Sequence, residues 1–267
     1  MIKPGWNIDL ICGAILAVLI AGMAVVSHFW TPYDYNEMLS RERFLPPQKA
    51  HLMGTDNFGR DVFSRIMAGC KYTILTALST VALSAAAGSS LGLISGYAGG
   101  IADEIVMRLM DALSSFPGIL LALVMVSLMD SSRFTLVCAL FVLFLPSYVR
   151  IMRSGMLQYK TRDFVLAARV MGSSPLRIIF VQILPNLAPS LLSATVIGLS
   201  NAILAEATMS YLGLGIPPPI PSWGRMLSES QNFLFAAPWC AIGPGFMIMI
   251  TVISFHFLGE GIRRRYC

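Results

Sequence analysis

Ionisable residues gather at four places in this chain: Asp56, Arg60, Asp61 and Arg65; Asp103, Glu104, Arg108 and Asp111; the segment from Arg150 to Arg177; and Arg263 to Arg265. The first two clusters are spaced for mutual pairing. If the second is helical, Glu104 and Arg108 form an i, i+4 pair, and Arg108 and Asp111 an i, i+3 pair. That reads as a salt-bridge lattice holding a loop, with a gate or a contact to another protein as the other reading. The first cluster reads as a structural clasp rather than a substrate site. Glu206 lies where an apolar stretch ends, and an ionisable residue near membrane depth is a functional candidate by default; capping or pairing is the simpler role. His28, His51 and His256 are isolated, and Cys12, Cys70, Cys138, Cys240 and Cys267 form no Cys-x-x-Cys. Neither set predicts a metal site or a disulfide framework. No P-loop, Gly-x-Ser-x-Gly or His-Glu-x-x-His occurs, so the sequence offers no catalytic residue and no cofactor site. ATP hydrolysis by this chain is not expected, and any energy must come from a partner.

The elements that carry these clusters are set by composition. Of 267 residues, 56% are hydrophobic and 12% charged, against about 25% charged in a soluble domain. Six stretches can cross a bilayer: Leu10–Trp30, Tyr72–Ala102, Ala112–Met129, Phe134–Val149, Ile178–Ala205, and a sixth within Ser230–Gly259. A span takes roughly 20 apolar residues, so the fourth, bounded by Asp130 and Arg133 before it, must borrow residues at one end. Lipid supplies no backbone partners, which requires helices, and nothing alternates like barrel strands. The first stretch exceeds a signal-peptide core and lacks a small-x-small cleavage site; it reads as a retained helix. The expected fold is all-α, a polytopic membrane protein with six transmembrane helices.

Six spans place both termini on one side. With that side cytoplasmic, eleven lysines and arginines, Lys3 among them, lie inside and eight outside. The segment from Arg150 to Arg177 holds six positive residues against Asp163 alone, so the positive-inside rule favours cytoplasmic termini. Two sizeable loops then face outward, Thr31–Lys71 and Ala207–Trp239. The second is too rich in proline for a continuous helix and predicts an ordered outward loop of short helices and turns, with Glu206, Ser210, Tyr211, Gly213, Gly215, Trp223 and Gly224 in or beside it. In the second span, Gly88, Gly92 and Gly96 fall at helical i, i+4, i+8 spacing. Small residues so placed let helices approach closely, as tight packing or as a sliding seam between subunits.

Between the fourth and fifth spans, Asp163 can cap a helix reaching Met171, and Gly172 suits its C-terminal stop, where positive φ is needed. Ser173 or Ser174 caps a second helix with Pro175 in its first turn, running towards Pro185. Ala167 and Ala168 carry no bulk, so a partner surface could come close. The two physical readings are a docking helix pair and a juxtamembrane helix anchored by arginines to anionic lipid.

This segment resembles the EAA loop of ABC importer permeases: Ala167, Ala168, Gly172, Leu184 and Pro185 sit at matching positions, while Leu166 replaces the Glu and Gln182 the Ile. HLMGTDNFGRDVFSRIMAG (His51–Gly69), DEIVMRLMDALSSFPG (Asp103–Gly118) and AEATMSYLGLGIPPPIPSWGRML (Ala205–Leu227) resemble segments of the C-type permeases of dipeptide, oligopeptide and nickel importers, in the family's order. The resemblance implies an inner-membrane permease subunit that forms half of a translocation path for peptides, with a nickel or metal-chelate importer as the alternative and an ion-gradient-driven secondary transporter as a more remote one. It implies a cytoplasmic coupling-helix loop at 150–185, with Leu166, Ala167, Ala168, Arg169, Gly172, Leu184 and Pro185 at the ATPase and Asp103, Arg108 and Asp111 as further cytoplasmic contacts. The implied partners are a related permease in a heterodimer, two ABC ATPase subunits, an extracytoplasmic substrate-binding protein and the bilayer, with no nucleic acid and no metal or cofactor. Residues 1–71 form an N-terminal helix and outward loop, and 72–267 a core permease domain with five transmembrane helices. The location implied is the bacterial inner membrane.

Overall fold

A computed structural model of the chain describes residues 8–129 and 132–266. Lys3, Asp130 and Cys267, which entered the reading of orientation, span limits and cysteine chemistry, lie outside them. Among the described residues the chain is helical, with one isolated bridge between Thr55 and Asp61. The helices are α1 (Ile8–Phe29), α2 (Val62–Ala98), α3 (Gly100–Ser114), α4 (Gly118–Ser127), α5 (Arg133–Tyr159), α6 (Asp163–Val170), α7 (Pro175–Arg177), α8 (Leu184–Tyr211), α9 (Trp223–Ser230) and α10 (Trp239–Tyr266). A π-helical turn, Ile178–Ile183, joins α7 to α8.

Five helical stretches are long and apolar enough to cross a membrane, and six if the bent α3–α4 pair counts as one. That pair departs from the expected single span over Ala112–Met129: its halves meet at 84°. Pro117 accounts for the break, because the residue before a proline is pushed out of the helical region. At about 1.5 Å per residue, the ten residues of α4 cover half of a hydrocarbon core of about 30 Å. The fourth stretch does borrow residues: α5 runs on past Val149 to Tyr159. α2 also starts ten residues earlier than the uncharged stretch, where the Asp61 carboxylate accepts from the Ser64 amide at 2.7 Å and caps it.

α2 is the centre of the bundle and packs on α5, α8 and α1. A Cβ on Gly88 would lie 2.6 Å from Tyr148 Cβ, and one on Gly92 would strike the Val149 carbonyl. The glycine stripe is therefore a tight seam between α2 and α5 within one chain. α10 packs on α8 and α1, tied by hydroxyls that donate across the helices: Ser254 to the Gly13 carbonyl at 3.0 Å and Ser200 to that of Val252 at 3.2 Å. Such small polar residues are the usual glue between membrane helices.

The bundle has two unlike ends. At one, the basic end, lie the start of α1, the end of α2, α3, the end of α5, α6 and the end of α10, where Arg264 meets Asp9 at 2.7 Å. The other, the capped end, is covered by residues 30–61 and by the segment around α9. There Arg60 bonds Asp56 at 2.6 Å and Glu229 at 2.9 Å, and Arg65 reaches Glu229 at 3.2 Å. Asp61 does not join this arginine cluster as its spacing suggested; its other oxygen meets His51 Nδ1 at 2.9 Å, while His51 Nε2 meets Glu42 at 3.2 Å.

Candidate functional site

α6 stands at the basic end as a short outrigger. Its C-terminus closes with two bonds, the Gly172 amide to the Arg169 carbonyl and the Ser173 amide to that of Ala168, each 3.0 Å. This is the Schellman arrangement, and Gly172 takes the positive φ it needs, +79°. Asp163 is the first helical residue rather than the cap, which is Arg162 and gives no side-chain bond; the carboxylate still opposes the positive helix N-terminus. Ser174 caps the next turn, accepting from the Arg177 amide at 3.4 Å, with Pro175 following.

Two residues anchor α6. Val165 and Ala168 are buried against Leu93 of α2, Met152 and Met156 of α5, and Ile178, Ile179 and Ile183 of the π turn. The expectation that Ala168 belongs to an open docking face is corrected here: it is 2% exposed and turned into the bundle. Positions i and i+3 share a helix face, so the small side chain at 168 lets α6 approach its own scaffold. The open face carries Phe164, Leu166, Ala167, Val170 and Met171, and Val170 is 89% exposed. Arg169 lies 5.6 Å over the Tyr97 ring, a cation–π contact that ties α6 to the end of α2. Leu184 is half-buried beside the same core, and Pro185 is exposed. Pro185 offers no amide to the turn before it; the ladder widens there, and the Leu184 amide reaches back to the Ile179 carbonyl.

Asp103 and Asp111 of α3 pair across elements rather than along the helix. Asp103 takes two bonds from Arg153 of α5, each 2.6 Å. Asp111 takes one from Arg150 at 2.9 Å, and the same guanidinium reaches Ser114 at 2.9 Å. Glu104 and Arg108 form the expected i, i+4 pair at 2.6 Å. The Arg108–Asp111 pair does not form, because Glu104 holds Arg108 and Arg150 holds Asp111. Sequence spacing could reveal the local pair but not arginines arriving from 39 and 50 residues away.

At the capped end, Glu206 is fully buried and accepts from the Ser210 hydroxyl at 2.7 Å. Trp223 is equally buried, its indole N–H donating to the Ile66 carbonyl at 3.0 Å. Gly215 packs beneath Ser210, and Gly224 against the Ala207 backbone. Gly213 turns the chain out of α8 at φ +85°, and Tyr211 stays exposed. The expected outward-loop residues thus divide: Ser210, Gly215, Trp223 and Gly224 seal the bundle around Glu206, whereas Tyr211 and Gly213 face outward. Sequence reading missed His51 and Glu229 as members of this end; their only signal was charge near charge. Among the described residues, no group of three or more His, Cys, Asp or Glu is placed to hold a metal ion.

The arrangement can do mechanical work: an apolar tip open to a partner, rooted in the ends of three long helices. Residues 88–266 match the family described as the binding-protein-dependent transport system inner membrane component. The dipeptide transport system permease protein DppC of Haemophilus influenzae is 39% identical over 263 residues, covering 96% of this chain and 89% of that protein. The glutathione transport system permease protein GsiD of Pectobacterium atrosepticum is 35% identical over 254 residues, covering 95% and 84%. The oligopeptide transport system permease protein OppC of Bacillus subtilis is 36% identical over 251 residues, covering 94% and 82%.

Proposed function

The chain belongs to the binding-protein-dependent transport system inner membrane component family, and from that premise we propose that it is a transmembrane permease subunit of an ATP-driven ABC importer for peptides. The observation that carries the reading is the α6 tip: Phe164, Leu166, Val170 and Met171 present apolar area to solvent, while Val165 and Ala168 bind the helix to α2, α5 and the π turn. An ATPase subunit docks on the tip. ATP binding there draws α6 sideways, and the buried face passes that displacement to α5 and α8 together, turning the cavity outward; hydrolysis reverses it. Hydrolysis belongs to the partners, as befits a membrane component of a transport system.

The peptide cargo rests on the relatives, whose names describe dipeptide, oligopeptide and glutathione transport. The nickel or metal-chelate reading draws no support from them. The remaining assignments belong to the same proposal: a second, related permease completing a heterodimer, two ATPase subunits, a binding protein delivering cargo to the capped end, the basic end and both termini in the cytoplasm, and a first helix and outward loop over 1–71 added to a core of 72–267. Leu166, where the family's Glu is absent, contributes apolar contact rather than a polar bond.

The test is the double variant Val170→Glu with Met171→Glu, co-expressed with its ATPases. Both residues are solvent-exposed, so the permease is expected to insert and to keep its melting temperature. ATPase co-purification and peptide uptake in reconstituted vesicles are expected to fall together, since truncating a central apolar anchor typically costs about 2 kcal/mol or more of binding. Unchanged co-purification and uptake would remove the coupling role.

A further inference from the structure

Both ring nitrogens of His51 end on carboxylates: Nδ1 lies 2.9 Å from Asp61 Oδ1, and Nε2 lies 3.2 Å from Glu42 Oε2. The His51 side chain is 6% exposed and that of Asp61 3%, while that of Glu42 is 40% exposed and borders solvent. A neutral imidazole has one N–H and one lone pair. Whichever tautomer it takes, one carboxylate faces a lone pair. One added proton resolves this: the imidazolium donates from both nitrogens and offsets one of the two negative charges. A proton on Glu42 would serve the same contact, so the proton belongs to the site rather than to one residue. Among the described residues, no lysine or arginine pairs with either carboxylate; Arg60 and Arg65 are taken by Asp56 and Glu229. The Tyr33 ring lies against the imidazole, centroids 4.8 Å apart, and its hydroxyl donates to the Ala50 carbonyl at 2.6 Å.

The two carboxylates belong to different parts of the cap. Asp61 is fixed at the start of α2, where its other oxygen holds the Ser64 amide. Glu42 closes the 3-10 turn Ser40–Glu42, within a mostly exposed strap of residues 34–43. On either side of the strap the chain is tied by its backbone. The Tyr33 amide donates to the Ser64 hydroxyl at 3.1 Å, and the Phe44 and Leu45 amides reach the Asp56 carbonyl at 3.1 Å and the Thr55 hydroxyl at 2.9 Å. The strap itself is held more lightly. Thr55 gives its hydroxyl proton to the Glu42 carbonyl, Arg65 reaches the Tyr35 carbonyl at 3.4 Å, and the Tyr35 side chain meets that of Tyr72. The Leu39 carbonyl passes so close over Gly59 that a Cβ there would strike it. The contact from His51 to Glu42 is thus an ionic fastening between a light strap and a firm base.

We propose that His51 is a proton-dependent latch: with the proton in place the strap 34–43 is fastened to the start of α2, and without it the strap lifts while the rest of the cap stays folded. The second bond exists only while the site holds its proton. The latch is therefore closed at low pH and opens as pH rises through about 5 to 8, where histidine changes charge. The test uses the full chain in its purified complex in detergent, with native cysteines replaced by serine and a nitroxide on Met38→Cys, an exposed strap position. Electron paramagnetic resonance spectra are recorded at about pH 5.5 and about pH 8. With the native latch the label is expected to be ordered at the lower pH, and its mobile fraction to grow on the order of tenfold at the higher, the scale of one lost charge-assisted hydrogen bond. Glu42→Gln supplies an amide that can donate to neutral Nε2, so the contact no longer needs the proton; its label is expected to stay ordered at both pH values. His51→Ala is expected to leave the label mobile at both. A nitroxide on Val18→Cys, on the exposed side of α1, is expected to report no change. A native strap whose spectrum does not respond to pH would overturn the proposal. So would a Glu42→Gln strap that keeps the native response, or a response at Val18→Cys as large as that at Met38→Cys. No peptide uptake is measured, so the result stands apart from the importer reading.

Discussion

The two ends of the bundle use similar residues to opposite effect. At the capped end, Arg60 and Arg65 are nearly fully buried and share Asp56 and Glu229, His51 sits between two carboxylates, and Trp223 closes over Ile66. Its bonding capacity is largely used within the chain. At the basic end most of the paired charges are more exposed, the Arg153–Asp103 pair excepted, and α6 turns an apolar tip outward while Val165 and Ala168, with Arg169 over Tyr97, hold it. The first end is built to keep its shape, and under the proposed function the second is the end that a partner grasps and moves. On that reading stability and coupling separate along the long axis of the molecule, and substitutions can be sorted by end.

The largest stability effect belongs to the capped end. Asp56→Ala strips two buried guanidiniums of a shared carboxylate, and breaking such a pair costs about 3–5 kcal/mol; the lower figure is expected because Glu229 remains bonded to both. The check is the thermal midpoint of the purified complex in detergent. A fall no greater than that of an exposed variant would erase the contrast between the ends.

Next comes a pair of substitutions at Gly172, whose φ is +79° with open space around its Cα. Gly172→Ala forces an L-residue into the left-handed region at about 1–2 kcal/mol and is expected to leave uptake nearly intact. Gly172→Trp adds the same strain plus bulk at the docking tip, and is expected to leave insertion unimpaired while separating ATP hydrolysis from uptake in vesicles. Equal uptake by the two variants would show that the tip is not grasped. The smallest effect is Arg108→Ala. Its pair with Glu104 is 78% and 59% exposed, and exposed pairs contribute about 0–1 kcal/mol; a shift in midpoint near that of Asp56→Ala would contradict the division.

Much of the helical framework was legible in the sequence because lipid enforces it. Uncharged runs located the long helices, the glycine stripe marked a close-packed face of α2 without naming α5 as its partner, and Gly172, Ser174 and Pro175 marked the turn between α6 and α7. What escaped depended on packing between elements. The break at Pro117 hid inside an apolar run that was long enough to span. Arg150 and Arg153 captured Asp111 and Asp103 because α5 extends past its apolar part and lies beside α3, which no local spacing reveals. The orientation of α6 was ambiguous for a clear reason: Val165 and Ala168 on one face and Phe164, Leu166 and Val170 on the other are all apolar, so hydrophobic pattern alone could not say which face the bundle would take. Glu206 was placed by sequence at an interface, yet the run of α8 to Tyr211 and the closure of Trp223 bury it completely.

That orientation of α6 is what the coupling reading depends on most, and cysteine crosslinking reads it directly. In the assembled transporter with native cysteines replaced, Val170→Cys and Ala168→Cys are each paired with a cysteine in the ATPase docking groove and treated with homobifunctional reagents of several spacer lengths. Val170→Cys is expected to crosslink at the shortest spacers and Ala168→Cys to remain unreacted, with ATP changing the yield at 170. Efficient crosslinking at 168 with none at 170 would mean that α6 presents its other face, and that force does not enter the bundle through Val165 and Ala168.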